Sequence, residues 1–457
     1  MVFSSLVFLV LFLPIFLISY YVIPGRFVKA KNAVLLFFSL LFYASGEPVW
    51  VVVLVFSGLW DYAIGMFITR YRGRWQSKAL LCLSMCGNLG LLLLLKYGAF
   101  FLSLIGVTAT FAPTLPIGIS FFTFQTLSYT LELYRGEVKP QRNPITFLSF
   151  VAMFPQLVAG PIVRYADVEE RLVQRRVTSK SFSDGVTRFA AGLGKKVILA
   201  NHAGKIAAEL LGVDAAYAST SGIWLGTLMF MFQIYFDFSG YSDMAIGLGK
   251  MIGFDFKENF DHPYTAKSIT EFWRKWHISL SSFFRDYVYI PLGGNRRRAV
   301  LNILLTWFLT GLWHGASVNF ILWGMYFGVI LLLEKYVLRG LLQRVPAFIA
   351  HLYSLIAILF GWLIFYFTDL GQLAAFAARF WGAGGSFTDS RTSELFLQNL
   401  WILPVLALFS TRLPARFAGW LRRAAPYTEH AINLALLCFC FVLLIGQSFN
   451  PFIYFRF

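Results

Sequence analysis

Charge is scarce in this chain. Asp, Glu, Lys and Arg together make up 13% of its 457 residues, about half the share of an ordinary soluble domain, which excludes a water-soluble globular enzyme. Cysteine is scarcer still. Cys82, Cys86, Cys438 and Cys440 all fall inside apolar stretches without companions at zinc-ligand spacing, so neither a disulfide framework nor a thiolate metal site is expected. The common catalytic templates are missing too: there is no GxSxG, no HExxH and no GxxxxGK[ST]. The six histidines, at 202, 262, 277, 314, 351 and 430, include no i, i+4 pair. No metal site, internal repeat or low-complexity tract is predicted.

What the chain has in abundance is apolar surface: 58% of its residues are hydrophobic and 18% aromatic. Apolar runs recur at 5–25, 33–56, 79–105, 116–133, 186–211, 221–236, 300–334, 347–368, 395–410 and 430–449. The longer ones match the roughly 20 residues of helix that cross a bilayer. The predicted fold class is an all-α polytopic membrane protein of about 11 transmembrane helices with re-entrant and interfacial helices around a central cavity. The first run has neither a basic leader nor a small-residue cleavage site and reads as a retained helix. A net charge of +17 would raise the question of nucleic acid in a soluble protein. Here the cations alternate by connection. Arg26, Lys29 and Lys31, then Arg70, Arg72, Arg74 and Lys78, then Arg135, Lys139 and Arg142 are separated by nearly uncharged connections around Glu47 and 106–116. This positive-inside pattern puts the N-terminus outside the cytoplasm and makes the basicity topological, with membrane lipid and no nucleic acid as the surroundings.

Two stretches depart from simple spans. FLSFVAMFPQLVAGPIVRY (147–165) carries Pro155, Gly160 and Pro161 inside an apolar segment with basic flanks on both sides. It reads as re-entrant, which requires a covering of protein or a water-filled cavity. In SITEFWRKWHISLSSFFRDYVYIPL (268–292), Phe272, Trp273, Trp276, Leu280, Phe283, Phe284 and Tyr287 fall on one helical arc. Glu271, Arg274, Lys275, Ser281, Ser282, Arg285 and Asp286 fall opposite, with His277 at the border. One interfacial helix is predicted, aromatic side down. The whole chain, 1–457, reads as a single integral-membrane domain: N-terminal helices over 1–135, a core over 145–334, and C-terminal helices over 345–457.

The residue that asks for an explanation is His314, in LTGLWHGAS (309–317). About 15 apolar residues precede it after the basic loop, a rise of about 22 Å against about 30 Å of hydrocarbon. If the chain turns at Gly315, the ring stops within the membrane, and the basic connection from Lys335 to Arg344 supports a return to the cytoplasm. An imidazole at that depth either cements helices through a backbone carbonyl or takes part in chemistry, and position alone favours neither. Its ordinary pKa, about 6.5, suits proton transfer. On a helix Trp307 and Thr310 share its face. His277, near a membrane boundary, reads first as an interfacial anchor beside tryptophans and only second as a functional group. Asp237 and Asp243, in DFSGYSD, read as ion-paired structural groups, with Lys250, Lys257 or the arginines of 268–298 as partners. Near them in sequence, His262–Pro263 and Tyr264 form another polar group. The loop Gly293–Gly294–Asn295–Arg296–Arg297–Arg298 offers backbone N–H groups and guanidinium forks suited to phosphate, although topology alone also explains its arginines.

EFWRKWHISLSSFFRDYVYIPLGGN followed by LTGLWHGAS resembles the signature region of the membrane-bound O-acyltransferase (MBOAT) family. FPQLVAGPIVRY, YFDFSGYSDMAIGLGKMIGF and the ending NPFIYFRF resemble its bacterial alginate O-acetyltransferase branch, and the likeness runs over nearly the whole chain. The resemblance implies that acetyl passes from a cytoplasmic thioester, with acetyl-CoA as the donor and no bound cofactor, across the bacterial inner membrane. The acceptor would be a periplasmic acetyltransferase or acyl-acceptor protein of an exopolysaccharide acetylation system, or the polymer itself. It implies His314 as the invariant catalytic histidine and His277 as the second motif position. In that reading His314 is the base, His277 orients or polarises the thioester carbonyl, and Arg296, Arg297 and Arg298 hold the carrier's phosphates, with Asn295, Trp307, Thr310 and Trp313 lining the site. A small-solute permease and an inactive scaffold recruiting a secreted transferase are the alternatives from other classes.

Overall fold

The computed structural model describes residues 1–106, 116–158, 160–425, 427–446 and 453. The connection over 106–116, apart from its ends, and most of the ending NPFIYFRF lie outside the described residues, as does Ala159. Among the described residues the chain is helical throughout, with no strand. It divides into two compact units: Met1–Leu193 with Tyr241–Lys257 and Phe441–Gly446, and Gly194–Gly240 with Glu258–Cys440 and Gln447–Phe457.

The first unit is built from α1 (Leu13–Val22), which continues a π-helical stretch from Val7, α2 (Val28–Ala44), α3 (Val51–Arg70), α4 (Trp75–Leu92), α5 (Gly98–Leu104), α6 (Ile119–Arg135), α7 (Pro144–Val151), α8 (Phe154–Leu157), α9 (Tyr165–Val173) and α10 (Ser179–Gly194). The predicted run 33–56 is therefore two helices. Ser45–Trp50, with Gly46 and Pro48, breaks it where the backbone can no longer continue its hydrogen-bond ladder. The stretch 147–165 is broken as expected: no helix runs through Gly160 and Pro161, and helix also stops, unexpectedly, at Ala152–Met153, where the residues on both sides of that second break are buried. Asn143 caps α7 by accepting from the Thr146 N–H at 3.1 Å, with Pro144 in the first turn. Buried polar groups tie three of these helices together. The Asp61 carboxylate on α3 accepts from Ser84 and from Asn88 on α4, each at 2.6 Å, and Asn88 accepts from Thr126 on α6 at 3.2 Å. Each such group is costly to bury unless satisfied, and here each is satisfied by the others.

α11 (Asn201–Leu211) follows α10 in the chain after a π-helical stretch, and α12 (Thr220–Ile252) contributes its first part to the second unit and its last part to the first. The second unit continues with α13 (Ile269–Lys275), α14 (Ile278–Phe284), α15 (Ala299–His314), α16 (Val318–Leu333), α17 (Arg339–Arg344), α18 (Ala347–Tyr366), α19 (Leu370–Phe380), α20 (Ser390–Gln398), α21 (Ile402–Phe409), α22 (Leu413–Ala424) and α23 (Thr428–Gly446). Among the described residues five helices are long and apolar enough to cross a membrane: 51–70, 75–103, 318–344, 347–366 and 428–446. The pair α20 and α21, bent by 64°, makes up to six. Val7–Val22, Pro144–Leu157 and Ala299–His314 are apolar but shorter.

The segment 268–292 is not one helix. It breaks between α13 and α14 at Trp276–His277, where His277 takes a left-handed backbone (φ 44°). The two faces survive the break. Phe272, Trp273, Trp276, Leu280, Phe283 and Phe284 are buried, whereas Arg274 and Arg285 are exposed. The aromatic face, expected against lipid, packs instead on protein: Phe272 and Trp276 meet Trp362, and Trp273 meets Trp307, Trp323 and Phe327.

Candidate active site

α15 and α16 form an antiparallel hairpin whose turn, Gly315–Ser317, follows His314 directly. The 16 residues of α15 rise about 24 Å, too little to cross a bilayer, so the histidine closes a short helix as its length predicted. Small residues set how closely the two helices approach. A Cβ on Gly311 would overlap the Phe320 carbonyl oxygen, one on Gly324 would overlap the Trp307 carbonyl oxygen, and one on Gly315 would overlap the Phe320 ring. Helices brought together this way gain packing without needing a hydrophobic driving force.

The His314 ring is 9% exposed and walled by aromatics. Trp313, Trp323 and Phe365 lie at ring-centre distances of 4.9, 4.8 and 5.3 Å, all edge to face. Trp313 also stands 5.9 Å from the ring of His277, so one indole touches both histidines. His277 is buried against Phe238 at 4.6 Å. Its Nδ1 lies 3.1 Å from the side-chain oxygen of Asn259. The left-handed backbone at His277 lets the chain start α14, whose first N–H groups bond to Asn259: Ile278 N–H to the backbone oxygen at 2.9 Å and Ser279 N–H to Oδ1 at 3.2 Å. His277 lies outside the candidate spanning helices, and burial pushes its imidazole down to about 3.

A cavity of about 760 Å³ is lined from α13, α14, α15, α16, α17 and the segments that join them, and neither His277 nor His314 is among its lining residues. Trp273, Leu280, Phe284, Ile303, Trp307 and Leu331 supply apolar wall, and Thr306 and Thr310 supply hydroxyls. Five cations, Lys267, Arg274, Arg285, Lys335 and Arg339, face one acid, Glu334. That acid is already engaged. Its carboxylate accepts the backbone N–H groups of Ile269 and Thr270 at 2.6 and 2.8 Å and the Thr270 hydroxyl at 2.6 Å, which anchors the start of α13. Arg285 is itself paired with Asp286 at 2.7 Å, and the cations still outnumber the acids, which leaves a partly apolar cleft with excess positive charge, suited to a molecule carrying phosphates and an apolar or neutral arm. The lining reaches Thr310, one helical turn before His314. Trp323 lies behind the wall, 5.5 Å from Trp273 and 4.8 Å from His314.

Of the residues singled out in the sequence, Asn295, Trp307 and Thr310 line this cavity, and Trp313 bridges the two histidines. Arg296, Arg297 and Arg298 are exposed and are not among its lining residues. Nor does the glycine loop present its amides to a ligand. The N–H groups of Gly293, Gly294, Arg296 and Arg297 bond to Ile290, Tyr289 and Gly293 carbonyls, and the buried Asn302 amide holds the Gly294 and Arg297 carbonyls from beneath. The two intramembrane aspartates are ion-paired as expected, with different partners. Asp237 pairs with Lys196 at 2.7 Å, and Asp243 pairs with Arg188 at 2.7 Å. His262 also takes a left-handed backbone and bonds to Asp261 at 3.2 Å, while the Tyr264 hydroxyl donates to the Met231 carbonyl at 2.6 Å, so this group is a local structural tie. Among the described residues no three His, Cys, Asp or Glu side chains are grouped as a metal site. Sequence reasoning missed Asn259, Asn302 and the five cavity cations. The cations come from separate elements and share no motif.

The model of the membrane-bound O-acyltransferase family matches residues 87–376, which takes in the hairpin, both histidines and the cavity. This chain belongs to the MBOAT family. A protein of Pseudomonas putida named probable alginate O-acetylase AlgI is 39% identical to it, with all of both chains covered. The peptidoglycan O-acetyltransferase of Helicobacter pylori is 32% identical over 80% of this chain and 77% of its own. The teichoic acid D-alanyltransferase of Bacillus subtilis is 32% identical over 47% of this chain and 58% of its own. The protein is thus a membrane-bound O-acyltransferase.

Proposed function

We propose that this MBOAT protein takes acetyl from a cytoplasmic thioester, acetyl-CoA, and transfers it across the bacterial inner membrane to a hydroxyl on a periplasmic acceptor that serves O-acetylation of an alginate-like exopolysaccharide. The observation that carries the reading is the cleft of five cations whose lining ends one turn from His314. Phosphates of the donor bind Lys267, Arg274, Arg285, Lys335 and Arg339, and its thioester arm runs along Trp273 and Trp307 toward Thr310. His314 takes the proton of the acceptor hydroxyl as its oxygen bonds to the acetyl carbon. The tetrahedral oxyanion then collapses with loss of the C–S bond, and the thiolate leaves with the proton from the imidazolium. General base catalysis of this kind is worth about 10²–10⁴-fold. The names of the relatives support O-acetylation and alginate, and the alternating charge of the first connections supports a periplasmic N-terminus.

The test is transfer of radiolabelled acetyl from acetyl-CoA, by the purified protein in vesicles, to periplasmic extract or polymer from an alginate producer. Label appearing on the acceptor with the wild type and not with His314→Ala is the expected result. Acceptor that stays unlabelled, or is labelled equally by both proteins, overturns the reading.

A further inference from the structure

Asn259 is wholly buried, and its side-chain oxygen is the meeting point of three groups: the Ser279 backbone N–H at 3.2 Å, the Ser279 hydroxyl at 2.8 Å and His277 Nδ1 at 3.1 Å. A backbone N–H can only donate, so the amide atom facing it is the oxygen and not the nitrogen. That oxygen can only accept. The Ser279 hydroxyl has one proton, which goes to the Asn259 oxygen at 2.8 Å rather than to Nδ1 at 3.4 Å. Nδ1 must then carry a hydrogen. Otherwise two lone pairs would face each other at 3.1 Å in a site closed to water, where an unmade hydrogen bond costs most. The hydrogen bond at one ring nitrogen fixes the other, and in a neutral imidazole the other nitrogen, Nε2, is bare.

We propose that Asn259 is a positioning residue that locks His277 as its Nδ1–H tautomer, so that Nε2 serves the acyl transfer as a hydrogen-bond acceptor and not as a donor to the thioester carbonyl. This rests on the reading of His277 as part of the transfer site, and it reverses the polarising role that the sequence suggested for that ring. An acceptor nitrogen one indole away from His314 holds a proton-bearing group, either the incoming hydroxyl or an N–H, and leaves the oxyanion to other donors. The left-handed backbone at His277 is kept by the same residue, because the Ile278 N–H donates to the Asn259 backbone oxygen. Ring tautomer and backbone turn are therefore set together.

Nitrogen NMR of the full-length protein in lipid, with histidine labelled at both ring nitrogens, reads the tautomer directly, and the His277 signals are assigned by their loss in His277→Gln. The expected result is a protonated Nδ1 and a bare Nε2 in the wild type. A protonated Nε2 overturns the proposal without any reference to activity. In Asn259→Ala the tautomer should become mixed and kcat should fall by about 10- to 100-fold with donor KM within about twofold. Asn259→Asp, which still accepts, should restore the tautomer and most of kcat. If Asn259→Ala loses kcat while its tautomer stays that of the wild type, the residue is merely structural and the proposal fails. Full activity in His314→Ala would strike the proposed reaction instead and leave the tautomer measurement standing.

Discussion

The indole of Trp323 meets the imidazole of His314 edge to face, with ring centres 4.8 Å apart and planes at 83°, and the same indole stands 5.5 Å from Trp273 on the cavity wall. Trp323 is wholly buried. It therefore packs between the imidazole and the cavity wall, so a displacement of the wall reaches the imidazole through it. Trp323→Leu should lower kcat by about 10- to 100-fold, the effect expected when a reacting group is misplaced by about 1 Å, and donor KM should move much less. Single-turnover acetyl transfer at saturating donor measures this. A variant with normal kcat and raised KM would assign Trp323 to donor binding alone.

The hairpin should be intolerant of a single methyl group at its crossing. A Cβ on Gly311 overlaps the Phe320 carbonyl, and backbone cannot step aside as a flexible side chain can. Gly311→Ala should cost about 1–3 kcal/mol of stability, read as a lower thermal unfolding midpoint in detergent, together with loss of transfer because His314 lies three residues away. Gly90→Ala, where nothing lies within 4 Å of the new Cβ, is the control and should keep transfer while leaving the midpoint equal or slightly raised, since Ala favours helix over Gly.

How much of this was readable in advance follows from which signals are local. The stop at His314 was legible because a short apolar run followed by Gly315 is a matter of length along one helix. The family was legible from contiguous strings. The break at His277 was hidden because the 100° apolar period runs on across a two-residue kink, so a helical wheel continues where the backbone does not. The sequence drew attention to Arg296–Arg298 because three arginines in a row are conspicuous, yet those residues do not line the cavity. The cations that meet in space, Lys267, Arg274, Arg285, Lys335 and Arg339, are spread over more than 70 positions and are ordinary residues one by one. Asn259 sits in a loop without periodicity, and only the folded chain shows what its oxygen holds.

That contrast gives a charge test. Arg274→Gln and Lys335→Gln should each raise donor KM by about 3- to 10-fold, and the pair together more, since each removes one of the charge-assisted bonds available to the donor's phosphates. KM should also climb with salt, as expected for a partly open site. The triple change of Arg296, Arg297 and Arg298 to Gln should leave KM within about twofold, because those residues are exposed and do not line the cleft. Steady-state kinetics with acetyl-CoA distinguishes the two sets. Equal effects from both would mean that the donor lies over the loop and not in the cleft.

The buried imidazole of His277 makes stability depend on pH in a definable window. Its folded pKa is pushed down to about 3 by burial, whereas an unfolded histidine titrates near 6.5. Between those values the unfolded chain binds the proton and the folded protein does not, so stability rises with pH through the window and is lost as pH falls from about 6.5 toward 3. Above about 6.5 both states are neutral and the dependence vanishes. The slope approaches about 1.4 kcal/mol per pH unit for this one group. His277→Gln keeps a polar side chain that does not titrate and should flatten that part of the curve, whatever it does to activity. Thermal midpoints of the two proteins measured from pH 4 to pH 8 should therefore run parallel above about pH 6.5, and below it the wild type should fall faster than His277→Gln as pH is lowered. Curves parallel over the whole range would mean that the ring is solvated or already paired with an acid in the folded protein. The neutral imidazole on which the tautomer argument depends would then be lost with it.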